Sequence, residues 1–248
     1  MYGRGYQTGG FGPAFTPPIV QQLLIANAVI SVAVWLLPSQ YGIALSVIPA
    51  AVWQAGWLWQ PFTYMWLHGS IGHLLMNMFV LWMFGSQLAM AWGARRFLQY
   101  YLLCGVGAGF IISVFPYLLY ALGMPTAITI PTVGASGAIF GVLLAYSLTW
   151  PDRTIALLFP PVAFRAIWLI PIVFALTFLF GGNNISNSGH LGGVLVGWIY
   201  LRSRGETGTL LSLRQIKYKW RRYRMRRKLR SIQYEEFERR RDDDRRMH

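Results

Sequence analysis

Of the 22 Lys and Arg residues in this 248-residue chain, 17 lie after Leu201, as do seven of the eight Asp and Glu residues. Before that point the charged side chains are Arg4, Arg95, Arg96, Asp152, Arg153 and Arg165, and the stretches Gly5 to Ala94 and Phe97 to Pro151 have none. A soluble domain devotes roughly a quarter of its residues to charge; here the share is 12%, and most of it is tail. Eleven Trp, 13 Tyr and 15 Phe add the aromatic load of a membrane interface. The pattern excludes a soluble enzyme and a disordered chain. The single cysteine, Cys104, excludes a disulfide-stapled fold. An all-α membrane protein with several spans is what remains.

Apolar runs divided by turn residues give the spans. Ile19 to Leu37, bounded by Pro18 and Pro38, is long enough for one. Ala26-Asn27-Ala28 looks like a signal-peptidase site, but the apolar run continues past it, so the run reads as a span. Further spans are expected at about 71–91, 97–120, 136–150, 165–181 and 189–202, separated by turn-forming segments such as Trp92-Gly93-Ala94 and Trp150-Pro151-Asp152. Residues 39–70 hold four Trp and are broken by Gly and Pro, which suits a loop lying in the interface. The division expected is a flexible lead-in over 1–18, a six-span body over 19–204 and a basic tail over 205–248.

Six spans place both termini on one side. Arg4, Arg95, Arg96, Arg153, Arg165 and the whole tail fall on that side, and the connections 39–70, 121–135 and 182–188 carry no Lys or Arg. The positive-inside rule makes the charged side cytoplasmic. The net charge of +14 and the run of Lys and Arg from Leu213 to Arg230, interspersed with Trp220 and Tyr223, suit a basic amphipathic helix on anionic lipid. Nucleic acid is not the partner expected of a tail attached to a membrane body.

Polar residues within the spans gather at the opposite, outer ends. Ser70 reads as an N-cap, which puts His73 in the first turn of span two and Asn77 on the same face one turn deeper. His68 precedes them, and His190 opens span six within Gly189-His190-Leu191-Gly192-Gly193. Each has a plain structural reading too: an interhelical hydrogen bond for Asn77, simple hydration for the histidines. Gly134-Ala135-Ser136-Gly137 opens a span of about 15 residues, roughly 22 Å against a hydrocarbon core of roughly 30 Å. Ser136 therefore starts its helix below the outer surface, where backbone N–H groups would welcome an oxyanion. The alternative is a small-residue packing motif. Gly137, Gly141 and Ala145 form one small-residue stripe and Gly189, Gly193 and Gly197 another. Paired, they would bring Ser136 and His190 within hydrogen-bond reach. With no outer-side carboxylate, such a site is a dyad.

In order and spacing, His68, His73 and Asn77 on span two, Gly134-Ala135-Ser136-Gly137 on span four and Gly189-His190-Leu191-Gly192-Gly193 on span six closely resemble the rhomboid family of intramembrane serine proteases. The resemblance covers about residues 19–202 and implies a six-transmembrane-helix bundle with an interfacial first loop. It implies Ser136 as nucleophile and His190 as general base. The oxyanion hole would be the Ser136 backbone N–H, His73 and Asn77. Supporting roles fall to His68, holding the first loop, to Phe140, packing on the His190 ring where many relatives have Tyr, and to Gly134, Gly137 and Gly189. It implies no cofactor, and membrane-protein substrates within the bilayer, in a bacterial inner membrane with the site facing outward. The chain departs from the family pattern at Gln60, after Trp59, at Gln87 in Gly85-Ser86-Gln87, and at Gly189.

Two other classes are open to the same residues. A non-catalytic membrane chaperone or trafficking scaffold would use the fold without the chemistry. A transporter would show an inverted repeat and midplane polar groups, and neither is visible. A metalloprotease would need His-Glu-x-x-His spacing, which His68-Gly69-Ser70-Ile71-Gly72-His73 lacks, and a metal held by His68, His73 and His190 would have no carboxylate.

Overall fold

The computed structural model describes residues 12–124, 126–156, 162–180, 187–205 and 225. Residues up to Ser203 form one compact unit, and a second begins at Arg204. The amphipathic helix expected in the tail, the first eleven residues of the lead-in and most of the 182–188 connection lie outside the described residues.

The unit is mostly helical. Helix α1 (Pro18–Trp35) starts with a proline in its first turn, where the missing N–H costs nothing, and ends ahead of Pro38. The first loop folds into short helices α2 (Ser39–Leu45), α3 (Pro49–Gln54) and α4 (Gln60–Thr63) and a 3₁₀ turn at Tyr64–Trp66. Helix α5 (Ile71–Val80) is capped as expected, the Ser70 side chain accepting the His73 N–H. A π-turn (Leu81–Gly85) joins it to α6 (Ser86–Trp92). Gly93, at φ +83°, takes a backbone conformation natural only to glycine and separates α6 from α7 (Ala94–Ala121). Then come α8 (Ser136–Thr149), α9 (Leu169–Phe180) and α10 (Asn187–Ser203).

Pro18–Trp35, Ile71–Trp92 and Ala94–Ala121 are long and apolar enough to cross a membrane. Ser136–Thr149 and Ala166–Thr177 are shorter apolar helices. The second of the long helices holds the π-turn, which sequence periodicity gave no reason to expect. The lead-in, read as flexible, closes in a stretch with definite contacts. The Trp82 indole N–H donates to Thr16 Oγ1 at 2.8 Å, and Gly12 lies against the same ring.

Helix α8 is the axis of the unit. Every residue from Gly137 to Ser147 is buried, which accounts for a sequence that is apolar all round with no polar face. The two small-residue stripes meet here. A Cβ on Gly193 would lie 1.8 Å from the Gly137 carbonyl oxygen, and one on Gly141 would lie 2.5 Å from Cys104 Sγ. Backbone thus packs on backbone, and any side chain at Gly193 would push α10 away from α8.

At the N-terminal end of α8 the loop before it pairs with the first loop. Val47 and Thr132 exchange both backbone hydrogen bonds, at 2.9 and 2.8 Å, and the Ala50 N–H donates to the Ile128 carbonyl. Irregular backbone is satisfied here by another irregular segment, as burial requires. Gln60, one of the departures from the family pattern, is fully buried and braces the first loop. Its Oε1 accepts the Ile48 N–H and its Nε2 donates to the Ala44 carbonyl.

The other end corrects the all-α expectation. Strand β1 (Thr154–Ala156) pairs antiparallel with β2 (Ala163–Arg165), in the register Ile155 to Phe164. Both strands alternate exposed, half-buried, exposed, but three residues are too few for that alternation to be read as a strand from sequence. Nearby, Arg153 donates to Gln87 Oε1 and, at 3.2 Å, to the Tyr146 hydroxyl, and its guanidinium sits 4.7 Å from the Trp150 ring centroid. Arg165 pairs with Asp152.

Candidate active site

The N-terminal ends of α5, α8 and α10 bring the polar residues together. Ser136 is the first helical residue of α8 and is half-buried. His190 is buried in the first turn of α10. Its Nε2 lies 3.0 Å from Ser136 Oγ. The approach follows from the glycines beneath it: Gly137 faces the Gly189 carbonyl as Gly193 faces that of Gly137. Glycine at 137 and 193 therefore sets the distance between α8 and α10, and with it that between Ser136 and His190.

The imidazole is fixed by aromatic packing. Phe140, one turn along α8 from Ser136, stacks on the His190 ring with centroids 4.1 Å apart and planes 11° apart. Phe174 from α9 meets Phe140 edge-on at 4.9 Å and approaches His190 at 6.5 Å. His190 Nδ1 meets no partner among the described residues. A neutral imidazole whose Nε2 accepts the serine proton is the form competent as a base. Phe174 could not be picked from the sequence, because nothing in α9 distinguishes it from its apolar neighbours.

Gly134 is where the third group enters. At φ +130° it takes a conformation side chains avoid, and a Cβ there would lie 2.8 Å from His73 Cε1, 2.9 Å from His73 Nε2 and 3.7 Å from Ser136 Oγ. The His73 ring and the serine hydroxyl thus flank one small space that only glycine leaves open. The Gly134 N–H is anchored to the Tyr64 carbonyl at 3.0 Å, and the Tyr64 hydroxyl donates to the Gly105 carbonyl at 2.8 Å. Tyr64 is a buried strut between the first loop, α7 and the turn before Ser136. An aromatic residue in a Trp-rich loop gave no sign of that from sequence.

Asn77 is buried one turn below His73, and its amide donates to the His73 carbonyl at 2.9 Å. An amide carries two protons, so one is left for another acceptor. The first amides of α8, including that of Ser136, have no acceptor within the helix, as at any helix N-terminus. His73, Asn77 and these amides offer donors and no negative charge.

His68 lies just outside α5 and is buried. Its Nδ1 is 2.9 Å from Ser31 Oγ, its carbonyl accepts the Trp35 indole N–H at 2.7 Å, and its ring meets His73 edge-on with centroids 5.0 Å apart. Burial, and then the neighbouring His73, hold its imidazole down to about 3, so it is neutral at ordinary pH. Ser31 and Trp35, four residues apart on α1, were not singled out by sequence, since a serine inside an apolar span carries no signal of its partner. Among the described residues no group of three His, Cys, Asp or Glu side chains converges to hold a metal.

The arrangement is a serine and a histidine in hydrogen-bond contact beside further donors, at the mouth of a buried helix. The sequence matches the family described as Rhomboid domain over residues 55–205. It is 33% identical over 138 residues to presenilin-associated rhomboid-like protein A, mitochondrial, of Danio rerio, covering 54% of this chain and 34% of that protein. With rhomboid protease GluP of Bacillus subtilis (strain 168), identity is 33% over 161 residues, covering 61% of this chain and 27% of that one. Rhomboid protein 1, mitochondrial, of Saccharomyces cerevisiae is 35% identical over 138 residues, covering 54% of this chain and 38% of that protein. The stretches matched are thus 38% or less of the length of these relatives.

Proposed function

The chain belongs to the rhomboid family of integral membrane proteins, and from that premise we propose that it is an intramembrane serine protease working through a Ser136–His190 dyad. The observation that carries the reading is the 3.0 Å contact of His190 Nε2 with Ser136 Oγ beneath the Phe140 stack. Ser136 Oγ attacks a peptide carbonyl carbon while His190 Nε2 takes the hydroxyl proton. The tetrahedral oxyanion accepts hydrogen bonds from His73 Nε2–H, the second Asn77 amide proton and the Ser136 backbone N–H. His190 then gives its proton to the leaving amine, and water hydrolyses the acyl-enzyme with His190 again as base. Asp152, the one carboxylate among the described residues, pairs with Arg165, so the Phe140 stack rather than a carboxylate orients the His190 ring. A non-catalytic scaffold would have no use for this contact.

Substrates are membrane proteins cut in or near a transmembrane helix. A helical peptide bond has its N–H and C=O groups engaged, so helix-breaking or small residues near the cut would open it to attack. The body has six spans with both termini cytoplasmic and the site facing outward, supported by the charge asymmetry of the sequence. A bacterial inner membrane is the setting proposed, and the basic tail rests there on anionic lipid. Among the relatives, GluP is from Bacillus subtilis and the other two named above are mitochondrial by name.

The test is a fluorophosphonate probe on the detergent-solubilised full chain. Labelling should map to Ser136 and vanish in His190→Ala. A folded protein that stays unlabelled, or labels elsewhere, defeats the dyad. Orientation is tested separately: a cysteine at Ser188 should react with an impermeant thiol reagent from outside, and one at Ser203 only after the membrane is opened. The reverse pattern would overturn the topology.

A further inference from the structure

Helix α1 precedes the family match, which begins at residue 55, and it carries none of the groups given a chemical role above. Two of its side chains nevertheless hold a residue beside the site. Ser31 is fully buried, and its Oγ lies 2.9 Å from His68 Nδ1 and 3.1 Å from the Trp66 carbonyl oxygen. One turn on, Trp35 Nε1 holds the His68 carbonyl. His68 is gripped at ring and backbone from one face of one helix.

Proton counting gives the grip a direction. The Trp66 carbonyl can only accept, so the single Ser31 hydroxyl proton goes there. The Ser31 oxygen is then an acceptor, and His68 Nδ1–H donates to it. The tautomer of His68 is set by α1. Its ring lies edge-on to His73 with planes 70° apart. On His73, Nδ1 accepts the Gly69 N–H at 3.4 Å, which leaves the ring proton on Nε2. That nitrogen is the one facing the space left by Gly134 and shared with Ser136 Oγ.

We propose that Ser31 is a positioning residue for the oxyanion side of the site: it fixes His68, and the His68 ring fixes that of His73 with Nε2–H turned toward Ser136. The inference rests on the oxyanion role proposed for His73. It makes α1 a part of the working site although it supplies no reacting group. A merely structural Ser31 would tie α1 to the first loop and affect cleavage only through the amount of folded protein.

A double-mutant cycle separates the two. Cleavage of a model transmembrane substrate is measured in detergent with the full chain carrying Ser31→Ala, His73→Ala, both, or Ser31→Thr. Ser31→Ala should lower kcat about 5–10-fold, the scale of one lost hydrogen bond, with KM little changed. Ser31→Thr keeps the hydroxyl and should recover most of that loss. In the His73→Ala background Ser31→Ala should cost less than about twofold, because residues acting through one another are not additive. Should Ser31→Ala fail to fold, Thr and Val at this position, matched in shape and differing in the hydroxyl, provide the same comparison. Equal losses in both backgrounds, or a rise in KM at unchanged kcat, would overturn the proposal while leaving the oxyanion role intact. An unchanged kcat in His73→Ala alone would remove the oxyanion role and this proposal with it.

Discussion

The two ends of α8 handle polarity in opposite ways. At its start, Ser136 meets His190 and shares with His73 the space kept open by Gly134, and Asn77 is tied to the His73 carbonyl. At its end, Tyr146 and Trp150 meet Arg153, whose guanidinium is shared between Gln87, the Tyr146 hydroxyl and two aromatic faces. The first end leaves the buried His190 Nδ1 without a partner among the described residues, and the second ties its guanidinium to an amide, a hydroxyl and two rings. A buried polar group left short of partners is costly, so it is tolerated where a reactant completes it. A cation held against aromatic rings and an amide ties the end of the helix to its neighbours.

The contrast can be broken most severely at the Ser136 end. Ser136→Ala and His190→Ala should each reduce cleavage of a model transmembrane substrate to background while the unfolding temperature stays near that of the wild type. Appreciable turnover by either purified variant would erase the distinction between the ends. Next in size is Asn77→Ala, expected to lower kcat by about 10²–10³, as for removal of one oxyanion donor. A rate within a few-fold of wild type would reassign Asn77 to holding the His73 carbonyl.

A smaller effect concerns stability. His68 is held neutral, near 3 against an ordinary 6.5. A depressed value means that the stabilisation is complete above about pH 6.5 and is lost as pH falls toward 3. Between pH 7 and pH 4.5 the wild type should lose on the order of 2 kcal/mol that His68→Gln does not lose. Parallel unfolding curves for the two proteins across that range would show that His68 carries no such linkage. Smallest is the effect at the other end. Arg153 is exposed, so Arg153→Gln should cost less than about 1 kcal/mol and leave kcat within about twofold. A large loss of kcat at full stability would mean that the two ends are coupled.

Features set by neighbours in sequence were legible there. The Ser70 cap, the proline-bounded first helix and the glycine spacing of α8 and α10 all follow from local rules, and Gly137 and Gly193 meet as that spacing implies. Partners far apart in sequence were not. Ser31 reaches His68 across 37 residues, and Tyr64 reaches Gly105 across 41; neither has a local pattern that names its partner. The β1–β2 pair was hidden because three-residue strands fall below the length at which alternation can be told from chance. Gln60 stood out as a departure, but that it braces the first loop only becomes clear from its two backbone partners.

The π-turn at Leu81–Gly85 is an ordinary helix with one residue spliced in. Gly85 suits the splice, since a Cβ there would lie 2.9 Å from Leu81 Cδ1 and 3.0 Å from the Phe97 ring. The span therefore keeps two reading phases, one shared by His73 and Asn77 and the other carried by Gln87 toward Arg153. Loss of a single codon within 81–85 would merge them and turn one half against the other by about 100°. A lineage carrying that deletion would have to surrender either the His73 face or the Gln87–Arg153 contact. Length changes in this helix are thus constrained more tightly than changes of residue, with the splice as the one place where the count is not that of a plain helix.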